Sequence, residues 1–267
     1  HGSRAEHSLT HEKPRFAFFQ VFQPRGGGKR QAPTFDVIAP GIAKHEEEIV
    51  LAPGADPKSD PCLALRAAVA AAEFGLPIAP GTLQNLKSCP IDDRTWNDES
   101  RSLFLRLLAS GPALLQVWEE IDFVDIPGRL IPEWLAIRNR PSASAAHRYT
   151  IDRHSVEVVT RLGRETPRGN RYDDRHYQAL LLAGILHDVG KRPGVADHAA
   201  EGARHASMVL KRMGFDRDII WWVTLLVREH LTLSEFATGQ NPNDPNVGDE
   251  LASRLDHDRC CLTCCSI

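Results

Sequence analysis

The segment that most restricts this chain is an unbroken apolar stretch, Ala179-Leu180-Leu181-Leu182-Ala183-Gly184-Ile185-Leu186, which runs straight into His187-Asp188 and then Val189-Gly190-Lys191. A helix turn that is apolar on every side is buried on every side. It delivers a His-Asp pair into an interior where an unpaired carboxylate is costly, so something cationic has to meet Asp188. An imidazole nitrogen and a carboxylate oxygen together suit a divalent ion of the Mg, Mn, Fe or Zn type. The plainer alternative is a His and an Asp that cap the helix end beside Gly190.

Helical patterns recur around that stretch, at 152–163, 174–189, 199–213 and 218–229, with turn signals at Pro167-Arg168-Gly169, Gly190 to Gly194, and Gly214. No strand-like alternation breaks the series, which predicts an all-α bundle whose helices project side chains into a shared core site. Histidines stand at the mouths of four successive helices. His154 lies in a first turn, with Asp152 as the expected N-cap. His187 closes the apolar helix, Asp197-His198 follows the Pro193-Gly194 turn, and Arg228-Glu229-His230 ends another helix. His154 is therefore a second-helix ligand candidate beside His187 and Asp188. Asp197, His198 and His230 are candidates for substrate binding or for supporting the ligands; solvated helix-end residues are the alternative.

Ahead of the bundle, Leu63, Leu65, Ala68, Ala71, Ala72 and Phe74 predict a helix between Pro61 and about Leu86, stopped by Gly75 and Pro77. Asp98 and Ser100 are the expected caps of a helix carrying Leu103, Leu107 and Leu108, ended by Gly111 and Pro112, and a third helix is expected at 113–120. Pro141 and the small residues Ser142 to Ala146 mark a boundary. Residues 1–60 are rich in Pro, Gly and charge, with an aromatic run from Phe16 to Phe22 and Val/Ile runs near 35–51. Two or three short strands, or the edge of another domain, fit them. The expectation is a mainly α chain in three parts: an irregular or β-containing segment at 1–60, a helical linker domain at 61–146, and a helical bundle domain at 147–267.

With 267 residues and 42% apolar side chains the chain can bury one large core or two modest ones. A formal charge of −3 and a pI near 6.5 leave no chain-wide basic field, so nucleic acid is not an expected partner. No apolar run approaches the roughly 20 residues that span a bilayer, and the N-terminus lacks a signal-peptide pattern; no membrane partner and a cytoplasmic location are expected. Cys62 and Cys89 are isolated, while Cys260, Cys261, Cys264 and Cys265 crowd into the last eight residues, which is no secreted disulfide framework. Cys261 and Cys264 have the spacing of a thiolate zinc pair, but no second pair or nearby His completes one.

In order, His154, then His187-Asp188, resemble the HD superfamily of metal-dependent phosphohydrolases, whose pattern is a His on one helix, His-Asp on the next, and a distant Asp. Ile131-Pro132-Glu133-Trp134, His147 to His154, Leu186 to Lys191, Asp197-His198, Arg212-Met213-Gly214 and Arg228 to Ser234 further resemble one branch of it. That branch is the bifunctional uridylyltransferase/uridylyl-removing enzymes acting on the nitrogen-signalling protein PII, and the likeness runs from about Asp60 to about Asp258. The resemblance implies a phosphodiesterase that removes UMP, or AMP, from a tyrosine of PII. It also implies a divalent ion held by His154, His187 and Asp188 that polarises a phosphoryl oxygen and activates water. Lys191 would offer an ammonium to the phosphate, or else complement a helix dipole, so the expected catalytic residues are His187, Asp188 and Lys191.

The transferase half of that family needs a Gly-Gly or Gly-Ser turn followed by paired carboxylates. Gly26-Gly27-Gly28 is followed instead by Lys29 and Arg30, and Asp36 has no carboxylate partner two positions on. The expectation is a piece of such an enzyme, beginning at His1-Gly2-Ser3 rather than Met and ending before the last Asp ligand, with Asp256 and Asp258 more suited to capping a helix; weak metal binding and weak activity would follow. Rival expectations are an HD hydrolase of a small nucleotide such as a guanosine polyphosphate, and a non-catalytic regulatory fragment.

Overall fold

A computed structural model describes residues 34–92, 96–141, 149–165, 174–232, 246–247 and 249. The Phe16–Phe22 run, His147, the Ser142 to Ala146 linker and the cysteine-rich stretch with Asp256 and Asp258 lie outside them. The described part belongs to one compact unit, Thr34–Ile267, and is mainly helical with a small sheet.

Three short strands open it: β1 (Asp36–Ala39), β2 (Ile42–His45) and β3 (Glu48–Leu51), an antiparallel meander in the order β1-β2-β3. Ile42 and Ile49 point one face of this meander into the core. Helix α1 (Leu63–Phe74) packs against it and is buried along most of its length by alanines and leucines, then ends at Gly75 in a left-handed conformation (φ 64°). The expected stop at Gly75 and Pro77 is where α1 ends, and the stretch on to Leu86 holds a second helix. Leu76-Pro77-Ile78 crosses β3, with Ile49 N–H donating to Pro77 O and Ala79 N–H to Ile49 O, before α2 (Pro80–Leu86) begins.

Helix α3 (Asp98–Leu108) starts from a capping box in which Asn97, not Asp98, is the N-cap, and Ser100 answers it. Helix α4 (Pro112–Phe123) starts with Pro112 just after Gly111, and α5 (Ile126–Leu130) and a 3-10 helix (Pro132–Ala136) complete this half. The second half consists of α6 (Ile151–Glu165), α7 (Arg175–Leu186), α8 (His198–Met213) and α9 (Arg217–Glu229). Asp174, Asp197 and Asp216 cap the last three through their own carboxylates. Both halves share one continuous apolar core, from Ile42 through Trp134 and Leu182 to Val227.

Candidate metal centre

The four histidines stand at helix ends as their spacing predicts: His154 in the first turn of α6, His187 directly after α7, His198 as the first residue of α8 and His230 directly after α9. In space they form the series His154, His187, His230, His198, with the last two in the reverse of their chain order. Ring centroids lie 5.3 Å apart for His154 and His187, 5.2 Å for His187 and His230, and 5.5 Å for His198 and His230.

The last carbonyls of a helix lack intrahelical donors, and two of these histidines use that. Nδ1 of His187 lies 2.9 Å from Gly184 O, and Nδ1 of His230 lies 2.7 Å from Val227 O. A carbonyl can only accept, so each Nδ1 carries the proton and each neutral ring presents Nε2 with its lone pair. That is the tautomer a metal ligand requires, held by a carbonyl behind it.

Asp188 sits between them, 1% exposed. Its Oδ2 accepts from the Lys191 ammonium at 2.8 Å and lies 3.4 Å from His187 Nε2; its Oδ1 lies 3.7 Å from His230 Nε2. Burial alone would raise the Asp188 pKa, but the adjacent His187 and Lys191 outweigh it and hold the carboxyl well below the usual carboxylate range. Burial, with His187 beside it, pushes His230 down to about 4, and burial together with Lys191 lowers His198. These shifts favour an ionised Asp188 beside neutral His198 and His230, a pairing that suits a cation.

Two groups of ligand atoms lie within 4.8 Å of one another among the described residues: His154, His187 and Asp188, and Asp188, His198 and His230. Asp188 belongs to both. The donor set passes a test of chemistry, because Asp188 Oδ1, His198 Nε2 and His230 Nε2 are buried and have no hydrogen-bond partner. Three unpartnered polar atoms brought together in the interior, two of them acceptors (Asp188 Oδ1 and His230 Nε2), are unfavourable without a cation, and imidazole with carboxylate suits a Zn, Mn or Fe type of ion.

Of the other residues singled out by sequence, Asp197 is placed as the N-cap of α8, accepting from Ala200 N–H at 2.9 Å. Asp152 lies inside the first turn of α6 rather than at its cap, and its Oδ2 accepts from Asn139 N–H at 2.8 Å. Sequence reasoning passed over three residues that hold the centre together. Arg140 O accepts from Ile151 N–H while its guanidinium donates to Lys191 O at 3.3 Å, so Asn139-Arg140 straps the start of α6 to the turn after Asp188. Asn139 has a left-handed backbone (φ 56°), which Asn tolerates better than most residues, and a lone Asn-Arg before a proline was the available signal. Gly190 was read only as a turn: a Cβ there would sit 2.2 Å from His198 O and 2.4 Å from Gly202 N, so only glycine lets α8 approach the His-Asp turn.

Comparison with known proteins places residues 151–258 in the family described as HD domain. The chain is 40% identical over 223 residues to a bifunctional uridylyltransferase/uridylyl-removing enzyme of Streptomyces coelicolor, covering 83% of this chain and 26% of that protein. It is 37% identical over 219 residues to the enzyme of the same description from Mycobacterium tuberculosis (82% and 26%), and 32% identical over 155 residues to that of Caulobacter vibrioides (54% and 16%). The chain thus spans about a quarter of the length of the Streptomyces and Mycobacterium relatives. No described helix is long and apolar enough to cross a membrane.

Proposed function

Because this chain carries an HD domain at residues 151–258, we propose that it hydrolyses the phosphodiester joining a nucleoside monophosphate, UMP or AMP, to a tyrosine of the signalling protein PII. The observation that carries the reading is Asp188 at the junction of two ligand groups, with three buried polar atoms of Asp188, His198 and His230 brought together and unsatisfied. The names of the relatives, which include a uridylyl-removing activity, select the substrate class. On this reading residues 147–267 form the catalytic domain and 61–146 a helical linker domain.

His154, His187 and Asp188 would hold one divalent ion, and His198 and His230, with Asp188 shared, give room for a second. Such an ion supplies positive charge to a phosphoryl oxygen and lowers the pKa of water. The chain's own part is to fix the ligands. Gly184 O and Val227 O set the tautomers of His187 and His230, and Gly190 brings His198 against Asp188. Lys191 neutralises Asp188 from the solvent side and is the cation best placed to turn to a phosphate, as a point charge on a flexible stem.

The test is incubation with manganese and uridylylated PII, adenylylated PII, and a panel of free nucleotides including a guanosine polyphosphate. Release of UMP or AMP with recovery of unmodified PII supports the proposal. Turnover of free nucleotides alone assigns the site to small nucleotides and refutes PII as the substrate.

A further inference from the structure

The two ligand groups that meet at Asp188 are brought together by different devices. On the side of His198 and His230, the bare Cα of Gly190 lets α8 come up to the His-Asp turn. On the other side His154 stands on α6, which is fixed near both of its ends. At the far end Gly163 packs against the backbone of Gly111, where a Cβ would lie 2.7 Å from Gly111 N. At the near end Asn139-Arg140-Pro141 runs beside residues 150–152. Pro141 forms an antiparallel bridge with Thr150, Arg140 O accepts from Ile151 N–H at 2.9 Å, and Asp152 Oδ2 accepts from Asn139 N–H at 2.8 Å. Ile151 N–H is one of the donors that a helix start leaves without an intrahelical partner. Its bond to Arg140 fixes where α6 begins, and His154 follows directly, with its own N–H closing the first turn onto Thr150 O.

The same segment reaches across to the other ligand-bearing turn. Arg140 Nη1 donates to Lys191 O at 3.3 Å, and Lys191 closes on Asp188 twice, N–H to the main-chain oxygen at 2.9 Å and ammonium to Oδ2 at 2.8 Å. Nearby arginines meet carboxylates: Arg138 pairs with Asp122 and Asp125, and Arg153 with Glu119 and Glu157. Arg140 makes no ion pair among the described residues, and its guanidinium goes to a carbonyl of the turn after Asp188 instead. One residue thus touches the start of α6 through its main chain and the His-Asp turn through its side chain.

We infer that Arg140 is a positioning residue for the metal centre, an inference that rests on the divalent-ion reading proposed above. It sets the distance between His154 and the His187-Asp188 turn, and so the affinity of the ion those three residues hold, without acting on the group of His198 and His230. The ion site therefore depends on a segment that precedes residues 151–258, the part matched to the HD domain. Groups that hold ligands in place without touching the ion are worth roughly tenfold or more in metal affinity.

The test is manganese affinity by equilibrium dialysis of the full chain, with circular dichroism to report the fold. Arg140→Met keeps the stem and removes the donors, and is expected to weaken binding by roughly tenfold with the fold intact. Arg140→Lys can still donate to a carbonyl and is expected to restore most of the affinity. Because Arg140 acts through His154, adding Arg140→Met to His154→Gln should change little, whereas adding it to His230→Gln should lower binding as much as it does alone. A general loosening of the fold would lower binding in both backgrounds and would not be restored by lysine. Undiminished binding in Arg140→Met, or in Arg140→Gln if the methionine variant unfolds, overturns the inference, as does an equal further loss in both histidine backgrounds. His154→Gln reports on the reading beneath: if it binds manganese as the natural sequence does, His154 is no ligand and the reading falls together with the inference.

Discussion

Asp188 shows how one residue's surroundings decide its chemistry. It is buried, yet it stays ionised because Lys191 and His187 stand on one oxygen while the other faces His230. His230 pays the opposite way: its pKa is held to about 4 in the fold, against about 6.5 in an unfolded chain. In metal-free protein the folded His230 stays neutral over that interval while the unfolded chain takes up a proton. Stability conferred this way is present above about pH 6.5 and is lost as pH falls toward 4, by at most about 3 kcal/mol; the lowered His198 acts in the same direction. Urea denaturation in a chelating buffer at pH 7.5, 6 and 5 should show this loss, and His230→Gln should flatten it. An unchanged slope in the variant would remove His230 as the cause. The residue types of the centre were legible in the sequence because histidines at helix ends next to an apolar run are a local signal. What each one faces was not, since Asp197 and His198 are neighbours in sequence but only His198 turns to Asp188.

At the scale of elements, the helices were legible to within a few residues wherever caps and periodicity are written locally, as for α8 and α9. The reading failed where a distant segment sets the boundary. The separate short helix α2 begins only at Pro80 because residues 76–79 first bond to β3, and α6 begins at Ile151 because Arg140 O takes its N–H, which leaves Asp152 inside the turn. The same tertiary logic makes Gly190 a strict requirement. Its hydrogen faces the backbone of His198 and Gly202, and no side chain rotation relieves a clash with backbone. Gly190→Ala should therefore separate α8 from the His-Asp turn, at a cost of about 3 kcal/mol by comparison with overpacked cores, and weaken metal binding as well. Thermal melting and metal titration of the variant check both; a stable Gly190→Ala protein with undiminished metal affinity would show that the approach of α8 is not needed.

Across the whole molecule, motifs that are far apart in sequence meet. Glu133 and Arg212, each in a segment that resembles the same enzyme family, form a two-pronged ion pair at 2.9 and 2.6 Å that ties the 3-10 helix to α8. Burial would raise the Glu133 pKa, but Arg212 prevails and lowers it. Such a pairing cannot be read from either segment alone. The shared core explains why helices before and after residue 147 hold one another in place, and so why the strap from Arg140 can reach the metal centre. The account stands on that centre being a divalent-ion site built on Asp188. The most direct measurement is manganese binding by equilibrium dialysis with elemental analysis, for the natural sequence and for Asp188→Asn, with circular dichroism to confirm the fold of both. The account predicts at least one ion per chain for the natural sequence and at least tenfold weaker binding for the variant; equal binding by the two folded proteins, or none by either, would contradict it.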